Sequence, residues 1–378
     1  MSDPLTQCDD IQLRSAFEVS IVSVNEAELH VPSPVRDNAF WNQLKPLRFT
    51  AYRIKEKADD GVFYIPIPFR TEANLTILHF RVPYEVARRY LDENAERLAH
   101  TKNPPLLKVV EKDKEWAAGA LWLMEYTKTD LGRQGNSQAG DYSEVVLTFT
   151  ATDLGRQEGI VYGGRYTVAS VLANSDFPSI TAKLLLNNRV AIVAGRVAVG
   201  LDKHAGKIDV TKTEREALRF VARLSDDRQL FAIEIPKVGT WESLSNNIKL
   251  AGQTIRLFGL RTALSAAAKM TLRMIPGMRD LLTADRYDWY ATLDSQFDDM
   301  PRRGRMDSDM NPWSIKLGML NSRNITDGID VQDTMFGALL RQAEFETVLT
   351  AQFRGAFGPT ESGVEWLRRS VGAPTQER

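Results

Sequence analysis

Asn187 to Val210 reads N-N-R-V-A-I-V-A-G-R-V-A-V-G-L-D-K-H-A-G-K-I-D-V. An asparagine pair opens it, an apolar run follows, then Gly195-Arg196, then Asp202-Lys203-His204-Ala205-Gly206. Val190–Val199 holds a single charge among β-branched and small residues, so it reads as a buried strand. Lys203 stands just past its end, where a closed apolar core would hold the amine away from water. A neutral amine is a nucleophile and an ammonium is not. An ordinary lysine amine, at about pKa 10.4, must come down by roughly three units, ~4 kcal/mol, to react near neutrality. One neighbouring charge at ~4 Å in water contributes only about 1 kcal/mol. Full burial can contribute ~3–5 units by itself. Burial is therefore the effect that decides, and the competing reading is a solvated lysine in a surface D-K-H-A-G turn.

Strand signals precede this segment at Leu47–Ile54, Gly61–Ile67, Leu75–Arg81, Leu106–Val110, Ala117–Tyr126, Glu144–Thr150 and Arg165–Leu172. Pro83 opens a helix with Tyr84, Ala87, Leu91, Ala95 and Leu98 at helical spacing. Leu218–Pro236 admits two readings. Thr211 and Glu214 can form a capping box for a helix, or two apolar runs about S-D-D-R can pair as a β-hairpin. The similar lengths of the two runs favour the hairpin. Beyond residue 250 helix formers take over: Ile255–Leu282 is one or two helices broken at Pro276-Gly277. Tyr287–Phe297 is a last strand. Val331–Phe353 is a helix with Met335, Phe336, Leu339, Leu340 and Ala343 on its apolar side, and Gly363–Val371 is a short final one. Strands in the first two thirds and helices in the last third predict an α+β protein on a large antiparallel sheet. Residues 1–35 form an N-terminal arm, 36–320 the main β domain with a helical insertion at about 255–282, and 321–378 a helical C-terminal extension.

The chain has 378 residues and is 43% apolar, enough for a sizeable core. Its 48 basic and 49 acidic residues nearly cancel, so no global field draws it to nucleic acid or acidic lipid. The single cysteine, Cys8, excludes an intramolecular disulfide and fits a reducing, cytoplasmic setting. The start, M-S-D-P-L-T-Q-C-D-D, has neither a basic n-region nor an apolar h-region, so no secretory signal is expected. Ile255–Leu282 is broken by charges and Pro276, so it fails as a lipid span, which needs ~20 largely uncharged residues. Four scattered histidines offer no zinc spacing, so no metal is expected. No phosphate-binding glycine loop or nucleophile elbow occurs, and no cofactor is called for. T-D-L-G-R-Q occurs twice, at Thr129–Gln134 and Thr152–Gln157. The copies read as two similar solvated loops, with paired phosphate contacts by Arg133 and Arg156 as the competing reading. Asp298-Asp299 and Asp307–Asp309 read as solvated charged loops.

A second chemical element is G-D-Y-S-E-V-V-L-T-F, Gly140–Phe149. Period-two geometry puts Tyr142 and Glu144 on one face of an otherwise apolar strand. A carboxylate there either pairs with a cation or sits in a polar cavity; an edge-strand glutamate facing water is the alternative. Upstream, A-A-G-A-L-W-L-M-E-Y-T-K-T carries Glu125.

Taken together, Leu75–Pro236 resembles the acetoacetate decarboxylase superfamily. The shared features are the asparagine turn, the A-I-x-x-G-R run, the lysine with glycine just beyond, and the Y-x-E element. That resemblance implies a sheet closed as a barrel or cone, with the helical segments as C-terminal additions. It makes Lys203 the Schiff-base lysine and Glu144 the carboxylate facing it, which orients substrate or shuttles a proton. Tyr142, Arg196, Glu125 and His204 are the candidate substrate contacts, Arg196 matching the family's Gly-Arg pair. Asp202 stands where the family commonly has proline, and His204 where it commonly has a second lysine. The family's other acidic position falls on Ala120, and its substrate-contacting arginine near Ala73. The implied function is a Schiff-base-forming lyase or decarboxylase acting on a small keto acid, in a homo-oligomer. The same imine also serves aldol or dehydration chemistry. Alternatives are a retired barrel that binds a small hydrophobic acid or a protein partner, and a membrane-peripheral protein using Ile255–Leu282.

Overall fold

The computed structural model describes residues 15–24, 49–58, 61–65, 69–93, 106–130, 141–152, 160–164, 166–173, 179–195, 203–213, 217–258, 285–290, 303–310, 316–320 and 335–357. The strands are β1 (Phe17–Val24), β2 (Phe49–Glu56), β3 (Val62–Ile65), β4 (Phe69–Pro83), β5 (Lys108–Glu111), β6 (Lys114–Asp130), β7 (Tyr142–Thr150) and β8 (Ile160–Tyr162). Then come β9 (Ser179–Leu186), β10 (Lys203–Lys212), β11 (Leu218–Leu224), β12 (Gln229–Ile235), β13 (Asp285–Tyr290), β14 (Arg303–Met310), β15 (Lys316–Met319) and β16 (Glu344–Phe357). The helices are α1 (Tyr84–Glu93), α2 (Thr167–Ala173), α3 (Arg189–Ala194), α4 (Thr240–Phe258) and α5 (Met335–Gln342).

A small sheet, β1-β2-β3, stands beside a thirteen-stranded sheet. The wall of the large sheet runs β9-β7-β6-β4-β16-β14-β13, with β10, β11 and β12 continuing from β9. Its middle is antiparallel: Ile77 of β4 lies opposite Trp122 of β6, and Trp122 opposite Val146 of β7. Both faces are buried here, so β7 and β9 are buried along nearly their whole length without alternation. The expectation of a closed barrel or cone is corrected. Among the described residues two pairs, Trp289 with Ser179 and Tyr290 with Ile180, join β13 to β9. The wall is a half-barrel curled through 240° and open.

One face of the wall carries the main core: Leu78, Phe80, Leu121, Leu123, Val145, Leu147, Phe149 and Leu185, closed by α1, α5 and the β11–β12 hairpin. Phe80 meets Phe149 edge-on at 6.3 Å and Phe345 at 5.6 Å. Gly119 makes this possible, because a Cβ there would stand 2.5 Å from the Phe80 ring. Burying Phe80 fully stabilises by roughly 2–3 kcal/mol. The opposite face holds Leu75, Ile77 and Ala120. Beside them Tyr126, Tyr142 and Leu186 pack under Phe17, Ile54 and Phe63 of the small sheet and under α3. That second face carries the candidate site.

Several sequence readings change. Val190–Val199, expected as a strand, is helical over Arg189–Ala194, with residues 196–200 outside the described set. The Asn188 side chain caps it, accepting from the Ala191 N–H at 3.0 Å, and a cap plus a buried apolar face outweighs the β-propensity of valine and isoleucine. Arg165–Leu172 is likewise helix α2 over its described part, and the Thr167 hydroxyl accepts from the Gly164 N–H at 2.6 Å. The helix expected over Val331–Phe353 ends at Gln342; β16 comes next and pairs with β4 from Glu344↔Arg81 to Phe357↔Phe69. Within the expected arm, Phe17–Val24 is a strand paired with β2. Ser179–Leu186, a fully buried strand, had no reading of its own. The hairpin at Leu218–Ile235 is present. Helix α4 begins at Thr240, ahead of the expected Ile255, and the rest of Ile255–Leu282 beyond Phe258 lies outside the described residues. So do Asp298-Asp299, Gly363–Val371, Arg133 and Arg156.

Candidate active site

The site is assembled by the stretch Asn187–Lys203 folding against β7. Asn187 anchors the turn after β9: its side chain accepts from the Ser143 N–H at 2.8 Å, one residue before Glu144. Asn188 then caps α3, which ends at Gly195. Gly195 is needed for close approach, since a Cβ there would lie 2.5 Å from both Cδ and Cε of Lys203. The absent side chain is the space the lysine stem occupies. Lys203 opens β10, parallel to β9 and opposite Leu184.

From this position Lys203 Nζ lies 3.2 Å from Glu144 Oε1, with the lysine side chain 10% exposed and the glutamate 3%. At that separation the attraction is roughly 5 kcal/mol at an effective dielectric near 20. Removing one partner would strand a buried charge, at a cost of ~3–5 kcal/mol. Two tyrosines complete the surroundings. Tyr142 shares the Glu144 face by strand period, and β6 places Tyr126 directly opposite it. The rings stack at 4.4 Å. The Tyr126 hydroxyl is hydrogen-bonded to Glu144 and lies 3.2 Å from Met124 Sδ. Burial, then the Glu144 charge, pushes both phenols well above the ordinary tyrosine range. They are therefore neutral donors and not bases. The same face continues past Met124 to Trp122, whose indole N–H donates to Thr148 Oγ1 at 3.0 Å, and to His79, bonded to Thr347 Oγ1 at 2.8 Å.

The expected residues divide. Lys203, Glu144 and Tyr142 come together. His204 does not join them: it pairs with Leu185, points into the main core and is fully buried. Glu125 lies one residue from Met124 and so turns to the other face; burial, opposed by Lys212, raises its pKa. Both lose the substrate-contact role expected of them, because strand alternation carries them away from the amine. Arg196 and Asp202 lie outside the described residues. Ala120 and Ala73 are buried on the site's face, with no charge to offer. Lys183 is a second buried lysine, yet its register partner is Leu147, a main-core residue. Sequence reading missed Tyr126 and the role of Gly195; the period-two run Trp122, Met124, Tyr126 was the available signal for the first. Among the described residues no group of three or more His, Cys, Asp or Glu is placed to hold a metal ion. No helix among them is long and apolar enough to cross a membrane.

No family model matches this sequence, and no curated protein matches it. Solved structures do resemble it. The enduracididine biosynthesis enzyme MppR, complexed with the condensation product of pyruvate and imidazole 4-carboxaldehyde, is similar at 13% identity and a TM-score of 0.40, over 77% of this chain and 87% of that one. Acetoacetate decarboxylase from Legionella pneumophila is similar at 9% identity and a TM-score of 0.41, over 77% and 85%. An acetoacetate decarboxylase-like enzyme from Sphingomonas wittichii is similar at 12% identity and a TM-score of 0.37, over 78% and 91%.

Proposed function

We propose that Lys203 is the Schiff-base nucleophile of a lyase acting on a small keto acid, with Glu144 as its proton partner. The observation that carries this reading is the buried 3.2 Å contact between the two. The amine must give up a proton before it can react, and the Glu144 carboxylate 3.2 Å away is the acceptor within reach. The amine nitrogen then bonds to the substrate carbonyl carbon. One proton from the attacking nitrogen and one from Glu144 pass to the carbonyl oxygen, which departs as water and leaves a protonated imine. With a β-carboxylate, the carbon–carbon bond breaks, CO2 leaves, and the electron pair enters the imine to give an enamine. Protonation of that carbon and hydrolysis release the ketone and restore the lysine.

A second outcome is favoured by Ala73. It is buried and uncharged, near the position where the resemblance puts the family's substrate arginine, so that position supplies no carboxylate clamp. Loss of that clamp suits aldol or dehydration chemistry through the same imine, or binding of an apolar acid at a retired site. Turnover of short keto acids in ¹⁸O-labelled water tests the reading. An imine route places solvent oxygen in the recovered carbonyl faster than the background exchange seen with Lys203→Met. Equal exchange by the two proteins would remove the imine.

A further inference from the structure

Four of the six large apolar side chains exposed among the described residues lie on α4: Trp241 (83%), Leu244 (52%), Ile248 (67%) and Ile255 (42%). Their spacing of three, four and seven makes one continuous stripe along a helix about 28 Å long. The helix is inverted relative to an ordinary surface helix, because its polar side is the buried one. Ser243 Oγ accepts from the Leu317 N–H at 2.9 Å, and Asn246 Nδ2 donates to the Leu317 carbonyl at 3.0 Å. Those two side chains and Thr254 are buried. The sequence thus uses uncharged polar groups to hold α4 on β15 while it turns tryptophan, leucine and isoleucine outward.

We infer that this stripe is the contact by which two copies of the chain associate, α4 against α4 in antiparallel fashion about Ile248. The pattern is self-complementary. A two-fold axis at Ile248 sets Trp241 opposite Ile255 of the second copy and Leu244 opposite its Gly252. Gly252 has open space where a side chain would stand, with nothing within 4 Å of a Cβ, so it offers a hole for that leucine. The helix carries three charges, Glu242, Lys249 and Arg256. Antiparallel pairing brings Glu242 within a turn of Arg256 of the second copy at both ends, whereas parallel pairing sets like charges together. Interfacial lipid helices keep a lysine- and arginine-rich polar face in the headgroups; here the uncharged polar side is engaged by β15, and the exposed charges are one acid and two bases. One helix pair is a small interface, so the dimer is reversible, with a Kd in the micromolar range.

Sedimentation equilibrium of the full chain over a roughly hundredfold concentration range tests this. The parent forms a concentration-dependent dimer. Ile248→Glu sets two carboxylates face to face and raises Kd by at least about tenfold. Glu242→Arg and Arg256→Glu each weaken pairing by roughly two- to fivefold, and the double reversal restores it. An unchanged thermal transition checks that each variant folds, and Trp241→Ser replaces Ile248→Glu should that one unfold. A monomer at every concentration, a dimer indifferent to both apolar variants, or a double reversal as weak as the singles would overturn the assignment. A monomer that floats with phosphatidylcholine–phosphatidylserine vesicles through Ile248 would overturn it in favour of lipid.

Discussion

Two ionic clusters lie on this sheet, one buried and one half-exposed, and they differ in what they can do. Among the described residues, Lys203 has one carboxylate at 3.2 Å and two neutral phenols on the same face. Around Arg81 there is a permanent cation stacked 4.6 Å over Trp116 and held by three carboxylates, Glu111, Glu344 and Glu346. Arginine does not give up its proton, and its fork ties β4 to β5 and β16. Glu346 extends the tie to α2 by accepting from the Val168 N–H at 3.0 Å. The Arg81 cluster is a clasp. Among the described residues the Lys203 pair has one cation and one carboxylate, the arrangement that the proposed proton transfer needs.

The comparison is sharpened most by Glu144→Gln. It keeps the shape but removes the proton carrier, and turnover should fall by about 10²–10⁴-fold. A fall below tenfold would reduce Glu144 to a structural partner. Arg81→Met should do the reverse. It leaves the buried Glu346 without its cation and lowers unfolding stability by about 3 kcal/mol in a denaturant titration, while labelling of Lys203 by substrate and hydride persists.

The pH dependence of stability separates two buried groups. Burial, opposed by Arg81 and the Val168 N–H, pushes the Glu346 carboxyl up to about 7, so its folded form holds a proton that the unfolded chain has released. Its contribution is fully present at low pH and is lost as pH rises from about 4.5 to 7. Burial holds His79 down at about 4, so its contribution is present above pH 6.5 and lost as pH falls toward 4. The two slopes oppose each other between pH 5 and 6.5. Glu346→Gln should remove the falling one, and its stability relative to the parent should rise by up to about 1.4 kcal/mol per pH unit. A constant difference across that window would contradict the burial of Glu346.

The smallest effect belongs to Tyr126→Phe. It removes one hydrogen bond to Glu144 and should cost about 1 kcal/mol of stability and roughly tenfold in turnover. An unchanged turnover would leave Tyr126 as packing for Tyr142.

How much the sequence disclosed depends on the range of each interaction. Tyr142 and Glu144 were legible because two residues along a strand share a face, and the β11–β12 hairpin because its turn is local. Lys203 was legible through its neighbours, although Val190–Val199 was misread. A six-residue apolar run fits strand or helix equally, and only Asn188 as a cap distinguishes them. The helical spacing of Met335 through Ala343 was real but local. Strand β16, directly after it, pairs with β4, as in the His79–Thr347 bond across 268 residues, and no window of sequence contains that. Tyr126 shares a period-two run with Trp122 and Met124, but its pairing with Tyr142 is fixed by strand register. The openness of the sheet also lies beyond local reading, because closure depends on which distant strands meet.

The most direct test of Lys203 as the nucleophile is reductive trapping. The full chain is incubated with a short keto acid and borohydride, digested, and the modified peptide located by mass spectrometry. A reduced adduct on Lys203, with Lys183 unmodified and the label lost in Lys203→Met, is the predicted result. Trapping on Lys183 or on no lysine at all, in a protein that still folds, would contradict it.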